Sequence, residues 1–321
     1  MIKENKKKMV KIFDAFTGYG GASWGLKKAK IPFEIIGYSE VDKFAIKLFE
    51  LNHEKVKNFG DITKINPKKI PDFDLFTGGF PCQTFSSIGK GEGELDPRGT
   101  LFYDIIRICE VKKPTFILLE NVKGLTTNSH KPTFDKILSE LKRIGYNVQW
   151  KILNTKDYGI PQNRERVWIF ATLNKIPKGW HFEPKKQKLK KFLKDFLDKQ
   201  PKSEYYLNQK QIERLVEVTG VNFDVKEPLC FDRYNKKIKK DKICMTLTEP
   251  HHNIMRIVEP KNQNKFRVRK ITPEEHFRLM GFKDGEIDLN GFSYQQLCKC
   301  ASNGWDVSLV SKIMKKIYSL Y

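Results

Sequence analysis

The 321-residue chain carries 60 basic and 38 acidic residues, a net charge of +22, and 39% of its residues are hydrophobic. This composition is typical of a globular protein with a sizeable core and a second, smaller unit. No apolar run approaches the ~20 residues that span a bilayer, and the lysine-rich N-terminus has no secretory apolar region. We therefore expect a cytoplasmic protein that does not contact a membrane. The six cysteines show no zinc spacing, so no metal site is predicted.

Strand-like and helix-like segments alternate through the first half of the chain. Short apolar runs typical of buried parallel strands occur at 10–13, 33–38, 73–77 and 116–120. Helical periodicity occurs at 22–30, 43–52, 101–111 and 134–145. Two further strands, 148–154 and 167–172, look like an added antiparallel pair. The alternation predicts an α/β fold with an open, doubly wound, mostly parallel sheet.

The pattern changes after about residue 173, where lysine, proline and irregular spacing dominate. Amphipathic helices are predicted at 189–199 and 209–218, and regular patterning returns at 271–282 and 307–320. We therefore predict one large domain formed by residues 1–173 and 269–321, interrupted by a smaller inserted domain at 174–268.

Three basic clusters occur within about one third of the chain, at 185–191, 235–242 and 261–270. A lysine cluster by itself is usually a solvated surface. Three clusters in one region favour a polyanionic partner, and nucleic acid is the expected one.

A glycine-rich turn follows the first strand in the sequence DAFTGYGG, with glycines at positions 18, 20 and 21. Such a turn lets the backbone approach a ligand at the start of a helix. Glu40 closes the second strand, where an acid commonly accepts hydrogen bonds from ribose hydroxyls, and Asp61 follows the next segment. Each acid alone could merely cap a helix. Together with the glycines they predict an adenosyl ligand.

Cys82 lies in the sequence GGFPCQTFSSIG, on a loop at the carboxyl end of a predicted strand. Doubly wound sheets bind their ligands at that edge. Glu120, in LLENV, follows the next strand, and QNRER supplies Arg164 and Arg166. A thiol, a carboxylate and guanidinium groups at one edge predict a covalent active site, although Glu120 could also pair with an arginine for structural reasons.

An ordered set of motifs carries a family resemblance. The motifs are DAFTGYGG, GYSEVD, GDIT, GGFPCQTFSSIG, RGTLFYDI, LLENV, QNRERVWIF and RKITPEEHFRLMGF. In this order they resemble the DNA (cytosine-5) methyltransferases of bacterial restriction-modification systems, over roughly residues 9–171 and 269–282. The resemblance implies a Rossmann-like, S-adenosylmethionine-dependent fold in a prokaryotic or phage-encoded protein. The insert at 174–268 would be its target-recognition domain.

The resemblance also implies which residues hold S-adenosylmethionine, whose product is S-adenosylhomocysteine. Phe16 would stack on the adenine, Glu40 would hold the ribose, and Asp61 with Ile62 would frame the base. The full implied set is Phe16, Gly18, Gly20, Gly21, Glu40, Val41, Asp61, Ile62, Gly79, Pro81, Leu101 and Asn303. The C-terminal stretch ASNGWDV departs from the family pattern because Ser302 replaces a glycine, whereas Asn303 is retained.

The implied chemistry begins with a cytosine flipped out of the duplex, because C6 of a stacked base is inaccessible. The Cys82 thiolate would attack C6, which turns C5 into a nucleophile that takes the methyl group. Glu120 would hydrogen-bond or protonate N3, Arg166 would contact O2, and Arg164 would brace the site or a phosphate. Asn121 would help to position Glu120 and the loop.

DNA contacts are expected from two segments. Gln83, Ser86 and Arg98 lie in or beside a glycine-containing stretch that suits a lid over the flipped base. In the insert, Thr246 belongs to a Thr-Leu pair that resembles one in the family's recognition domain, and Arg256 is a candidate base reader. The neighbouring pair of histidines at 251 and 252 more often marks an ordinary exposed loop.

These residues predict a site-specific DNA cytosine-5 methyltransferase that acts as a monomer on double-stranded DNA. A cognate restriction endonuclease acting separately is expected from family habit. Three alternatives remain: an RNA cytosine-5 methyltransferase on the same fold, a catalytically silent DNA-binding module, and a nicotinamide oxidoreductase. The last would need a different glycine spacing.

Overall fold

A computed structural model describes residues 8–81, 101–221, 225–249, 255–261 and 265–321. The chain forms two compact units. The first comprises Met1–Leu153, Glu165–Pro184 and Leu309–Tyr321, and the second comprises Asn154–Arg164 and Lys185–Ser308. Within the described ranges, every helix is too short or too polar to cross a membrane.

The described residues contain ten strands, which form two sheets. The first contains β1 (Val10–Ala15), β2 (Phe33–Ser39), β3 (Leu75–Gly79), β4 (Phe116–Val122), β5 (Asn147–Asn154) and β6 (Glu165–Thr172), in the order β2-β1-β3-β4-β6-β5. The second contains β7 (Leu229–Asp232), β8 (Lys237–Lys239), β9 (Met255–Lys261) and β10 (Lys265–Arg269), in the order β10-β9-β7-β8. In the first sheet β1, β2, β3 and β4 run parallel, and β6 pairs antiparallel with β4.

Eight α-helices accompany these strands in the described ranges. They are α1 (Gly21–Ala29), α2 (Lys43–Asn52), α3 (Leu101–Lys112), α4 (Lys131–Arg143), α5 (Gln209–Thr219), α6 (Pro273–Leu279), α7 (Tyr294–Asn303) and α8 (Val307–Tyr318). Side chains cap the starts of four of them, α2, α5, α6 and α7. Asp42, for example, accepts hydrogen bonds from the N–H groups of Phe44 and Ala45 and so caps α2.

Helices cover both faces of the first sheet. Ile105 of α3 and Ile137 of α4 belong to the same buried cluster as Phe13, Phe76 and Ile117. The residues before these three in the strands point to the opposite face, because side chains alternate along a strand. There Leu75 and Phe116 line a small gap with Leu26 of α1 and with Met314 and Ile317 of α8. The prediction of a doubly wound, mostly parallel sheet is confirmed.

The second unit has a separate small core. Leu215 of α5 packs against Phe231, Val258 and Val268, which come from three neighbouring strands of the second sheet. All three strand pairs of this sheet are antiparallel. Helix α5 therefore covers one face of the sheet, and this packing supplies the apolar burial that a four-stranded sheet needs.

The helix predicted at 189–199 is wrong, because the segment contains only a short 3-10 helix, Leu193–Phe196. The Leu193 side chain is buried, and its N–H donates to Lys242 O at 2.9 Å. Asp198 accepts a hydrogen bond from Arg278 at 2.6 Å. These contacts to other segments take the place of the helical i to i−4 bonds. They are tertiary interactions, which local periodicity does not encode.

The second unit extends beyond the predicted insert. It includes residues 154–164 and 269–308 together with the basic segment after Pro184. The bounds of this unit differ from those of the predicted insert, and a target-recognition domain at 174–268 stays a prediction.

Candidate active site

A left-handed turn joins β1 to α1, whose first residue is Gly21. Phe16, Gly18 and Gly20 have φ angles of +53°, +57° and +86°. Glycine adopts this region readily, whereas for Phe16 it costs roughly 1 kcal/mol. The Phe16 N–H donates to Ser39 O at 2.8 Å, which fastens the turn to the end of β2. The turn therefore lies at the carboxyl edge of the sheet, between the ends of β1 and β2.

A histidine that the sequence analysis missed lies beneath Gly20. A Cβ added to Gly20 would lie 2.7 Å from His53 Cε1, whereas one added to Gly18 would meet nothing within 4 Å. His53 Nε2 is 2.7 Å from Ser23 Oγ, and Nδ1 is 3.0 Å from Phe49 O. Burial lowers the pKa of His53 to about 4, so the ring is neutral at neutral pH. The imidazole supports the turn and leaves space above Gly18.

Glu40 connects the end of β2 to the same turn. Its Oε2 accepts a hydrogen bond from the Gly18 N–H at 3.0 Å. Its Oε1 accepts from the N–H groups of Val41 at 2.8 Å and Asp42 at 2.9 Å, while the Val41 side chain is exposed. An ionised carboxylate can accept about four hydrogen bonds. Glu40 is thus oriented by the backbone and can still accept a bond from a ligand hydroxyl.

Asp61 caps a 3-10 helix, Ile62–Lys64, that follows β2 and α2. Its Oδ1 accepts from the N–H of Thr63 at 3.0 Å and from the hydroxyl of Thr63 at 2.8 Å. These hydrogen bonds lower the pKa of Asp61, because they favour the ionised form. Ile62 is buried, and its carbonyl accepts from Arg107 Nη2 at 2.9 Å. Asp61 therefore caps a helix, the structural role that the sequence left open, and its contact with adenine stays a prediction.

The end of β3 lies beside the end of β4. Gly79, the last residue of β3, is paired with Glu120 in the strand register. Pro81 follows two residues later and is exposed, and Leu101 is the half-buried first residue of α3. Gly79 therefore ends β3 beside Glu120 of β4, and Pro81 is the last described residue of this segment.

Glu120 and Arg166 form an ion pair at this edge. Arg166 Nε lies 2.9 Å from Glu120 Oε1, and the two side chains are 16% and 10% exposed. Arg166 is opposite Val122 in the antiparallel register of β4 and β6. Glu120 lies two residues before Val122, so Arg166 and Glu120 are diagonal neighbours on the same face of the sheet. Arg166 Nη1 also donates to Glu165 O at 2.9 Å. The pair places a carboxylate and a guanidinium side by side with limited solvent access.

Asn121 holds the backbone that leads to Cys82. It is buried, and its Nδ2 donates to Phe80 O at 2.9 Å. Its Oδ1 accepts from the Val122 N–H at 2.8 Å. The amide thus joins the end of β4 to the residue before Pro81, and its role in positioning Glu120 and the loop stays a prediction.

Cys82 and three residues expected to contact DNA, Gln83, Ser86 and Arg98, lie outside the described residues, as do the histidines at 251 and 252. Their roles stay predictions. The described residues on either side end at Pro81 and begin again at Leu101.

A buried carboxyl at the end of β1 was also missed. Asp14 is 4% exposed, and its two oxygens accept hydrogen bonds from the hydroxyls of Thr17 and Thr77. Burial raises the pKa of Asp14 to about 7. The sequence signal that could have identified it is an acid in the strand VKIFDA, whose other residues are apolar except for Lys11.

Arg164 belongs to the second unit, where it binds the end of a helix. Its Nη2 donates to the carbonyls of Ser302 and Gly304, both at 2.9 Å. These groups lie at the C-terminal end of α7, where a positive charge is favourable. The Arg164 side chain is buried, so its contacts here are with the protein backbone, and the expected bracing of a phosphate stays a prediction.

Ser302 and Asn303 end α7. The Ser302 hydroxyl, which replaces the family's glycine, donates back to Cys298 O at 2.7 Å. Asn303 is exposed, and its Nδ2 lies 2.7 Å from Glu249 Oε1. The serine is therefore accommodated inside the helix, while the asparagine amide points toward a polar neighbour.

The Thr-Leu segment runs beside the QNR sequence within the second unit. Cys244 N–H donates to Pro161 O at 2.7 Å, and Asn163 N–H donates to Cys244 O at 2.8 Å. The Thr246 hydroxyl donates to Asn163 O at 2.6 Å. These bonds fix the position of Thr246, whose contact with DNA stays a prediction.

Arg256 lies on β9 at the wall of an open cavity of about 670 Å³. Four other basic residues line this cavity: Arg214, Arg233, Lys236 and Lys270. Burial and the nearby charge of Arg233 lower the pKa of Arg256 to about 10, so its guanidinium is still charged at neutral pH. We call these five residues and the space they line the cationic cavity.

The first unit thus brings together the glycine turn, Glu40 and Asp14 at one part of the sheet edge. It also places Gly79, Glu120 and Arg166 together at the ends of β3, β4 and β6. Arg164, Thr246, Arg256 and Asn303 belong to the second unit. The carboxyl ends of β2 and β4 therefore carry Glu40, the predicted ribose ligand, and Glu120, the predicted catalytic carboxylate.

Comparison with known proteins gives a consistent family match. The family of C-5 cytosine-specific DNA methylases matches residues 10–319. The Type II methyltransferase M.NgoBI of Neisseria gonorrhoeae is 37% identical, over 97% of this chain and 94% of its own length. The Type II methyltransferase M.HaeII of Haemophilus aegyptius is 36% identical, over 95% of this chain and 92% of its own length.

A solved structure gives the same fold. A variant of DNMT2 from Spodoptera frugiperda aligns with a TM-score of 0.74, over 96% of this chain and 99% of its own. The two sequences are 19% identical, so this likeness concerns the fold alone.

Proposed function

The chain belongs to the C-5 cytosine-specific DNA methylases, and we propose that it methylates cytosine C5 within a specific sequence of double-stranded DNA. The observation that carries the proposal is the Glu120–Arg166 pair at the end of β4. Next to it, the bond from Asn121 to Phe80 O anchors the chain just ahead of Cys82. The carboxylate of Glu120 and the guanidinium of Arg166 thus lie at one sheet edge, where the described chain ends one residue before Cys82.

Cys82 is the proposed nucleophile. Its thiolate forms a bond to C6 of the everted cytosine, and the electron pair of the C5–C6 double bond shifts to C5, in conjugation with N3. C5 then becomes nucleophilic and accepts a methyl group. Water takes the C5 proton, the C5–C6 double bond forms again, and the electron pair of the bond between sulfur and C6 returns to sulfur, so the thiolate is regenerated.

Glu120 and Arg166 act on the polar edge of the same base. Glu120 hydrogen-bonds or protonates N3, which draws electrons from the ring as the thiolate adds. Arg166 stabilises the negative charge that develops at O2. Their 2.9 Å contact holds both groups in place before the base arrives, which reduces the reorganisation that the reaction requires.

The glycine turn and Glu40 fit an adenosyl ligand, because the carboxylate at the end of β2 is held by the backbone and the space above Gly18 is open. When bound, S-adenosylmethionine supplies the methyl group and is released as S-adenosylhomocysteine. Phe16 would stack on its base, Glu40 would accept from its ribose, and Asp61 with Ile62 would frame the adenine. The remaining proposed contacts are Gly20, Gly21, Val41, Gly79, Pro81, Leu101 and Asn303.

Other elements of the proposal concern DNA and partners. Gln83, Ser86, Arg98, Thr246 and Arg256 would contact DNA, and Arg164 would act as a positioning residue through its bonds to the end of α7. The enzyme would act as a monomer and serve as the modification partner of a separate restriction endonuclease. The Type II methyltransferases among its relatives support this assignment.

Cys82→Ser should remove methyl transfer while DNA binding remains, because the weakly acidic hydroxyl does not supply the thiolate. Bisulfite sequencing of DNA from cells that express each form would report the modified base and its sequence context. Purified wild-type protein should also form a covalent adduct at position 82 with 5-fluorocytosine DNA and methyl donor, because the fluorine blocks the final elimination.

Cys300→Ser is the matched control, since this cysteine lies in α7, and it should methylate as the wild type does. Turnover by Cys82→Ser at the wild-type rate would contradict the nucleophile assignment. Methyl incorporation into tRNA in place of DNA would overturn the substrate assignment.

A further inference from the structure

The Asp14 carboxyl joins the glycine turn to the strand that leads toward Cys82. One oxygen accepts from the hydroxyl of Thr17, inside the turn, and the other accepts from the hydroxyl of Thr77, in the middle of β3. Thr77 is fully buried, as Asp14 nearly is. One carboxyl therefore fixes two elements on which the proposed reaction depends.

The surroundings of Asp14 make its ionisation sensitive to nearby charge. Burial raises its pKa most, the hydrogen bonds from the two threonine hydroxyls lower it, and the negative charge of Glu40 adds a smaller rise, so that the pKa is about 7. Thr17 and Thr77 carry no charge, and the first turn of α1 contains no acid. His53, below the turn, is neutral. Near neutral pH the carboxyl is thus divided between its protonated and ionised forms, and a positive charge close to the turn would favour the ionised form.

We propose that Asp14 is a positioning residue that makes the glycine turn bind the cationic sulfonium donor in preference to its uncharged thioether product. The proposal rests on the function proposed above, because that function identifies the ligand of the turn. Asp14 is paired with Tyr38 in the register of β1 and β2, two residues before Glu40, the residue proposed to hold the ribose. A ligand held by Glu40 is therefore within electrostatic range of Asp14. Methyl transfer converts the sulfonium into an uncharged thioether, and this loss of positive charge would aid release of the product.

Linkage gives the size of the effect. A donor that lowers the pKa of Asp14 by one unit binds tenfold more tightly to the ionised form than to the protonated form. The ratio of the product's dissociation constant to the donor's should therefore rise about tenfold between pH 5.5 and 8.5. Donor and product share the same adenosine, amino and carboxyl groups, so the ratio isolates the charge on sulfur.

The test is isothermal titration calorimetry of the full-length protein without DNA, with S-adenosylmethionine and S-adenosylhomocysteine as the two ligands. In buffers of different ionisation enthalpy, donor binding near pH 6.5 should release about half a proton, and product binding should release much less. Asp14→Asn preserves the shape of the side chain and removes its titration, so both the pH dependence and the proton release should disappear. Asp42→Asn, which alters the cap of α2, should leave both unchanged.

A ratio that stays constant with pH in the wild type would overturn the proposal, and this result does not depend on whether Asp14→Asn folds. An Asp14→Asn protein that retains the wild-type pH dependence would overturn it as well. Methylation of cytosine by the same wild-type preparation separates the outcomes. A protein that methylates DNA but shows no pH-dependent ratio refutes the role of Asp14 alone, whereas one that binds neither ligand refutes the proposed function.

Discussion

Two ion pairs in the first unit have the same length but different surroundings. Arg166 Nε to Glu120 Oε1 and Lys123 Nζ to Glu165 Oε2 are both 2.9 Å apart. The first pair is 16% and 10% exposed, the second 50% and 40%. An exposed pair contributes about 0–1 kcal/mol, whereas removing one partner of a buried pair leaves the other charge poorly solvated. Burial therefore distinguishes the proposed catalytic carboxylate from its neighbour on the surface.

Glu120→Gln should lower kcat by roughly 10²- to 10⁴-fold, because glutamine keeps the size of the side chain but has no proton to give to N3. Methyl incorporation with saturating DNA and donor is the measurement. Glu165→Gln makes the same chemical change at the half-exposed first residue of β6 and should retain wild-type kcat. Equal losses in the two variants would indicate that the edge of the sheet is generally sensitive to charge and would contradict a specific role for Glu120.

At the scale of elements, apolar runs located the buried strands well. The runs in β1, β3 and β4 are nearly uninterrupted, since each strand is covered by helices on both faces. The segment at 189–199 failed because Leu193 and Asp198 make contacts with residues about 50 and 80 positions away. His53 was missed for a related reason, since it reaches Ser23 and Gly20 only after α2 has packed beside α1. Predictions succeeded where the pattern of apolar residues within one segment determines its structure. They failed where contacts with residues distant in the sequence determine it.

The glycine turn allows a test with two matched glycines. Gly20→Ala would place a Cβ 2.7 Å from His53 Cε1 at a φ of +86°, whereas Gly18→Ala at +57° would meet no atom within 4 Å. Urea unfolding should show a loss of about 2–4 kcal/mol for Gly20→Ala, from strain and overpacking together, and about 1–2 kcal/mol for Gly18→Ala from strain alone. Adding His53→Ala to Gly20→Ala should recover part of the loss. Equal losses in the two single variants would contradict a packing role for His53.

At the scale of the molecule, the net charge of +22 is unevenly placed along the chain. The clusters at 185–191, 235–242 and 261–270 all fall within the range of the second unit, Lys185–Ser308. The same unit contains the cationic cavity, whose described lining has five basic residues and one acid, Glu204. An excess of positive charge around a concave surface attracts polyanions and concentrates the field there. We therefore expect the cationic cavity to contribute to binding of the DNA backbone.

The salt dependence of DNA binding tests that contribution. For each phosphate that the protein neutralises, the logarithm of the binding constant should fall by about 0.9 per tenfold rise in salt. Arg233→Gln, at the cavity, should reduce the slope by about one such unit, measured by fluorescence anisotropy of a labelled duplex between 50 and 300 mM salt (about a sixfold range). Lys210→Gln removes the same charge from an exposed position on α5 that does not line the cavity, and its slope should match the wild type.

An unchanged slope for Arg233→Gln, with a steep wild-type slope, would show that the phosphates lie elsewhere on the basic surface. A flat wild-type slope would instead mean that these charges face only solvent.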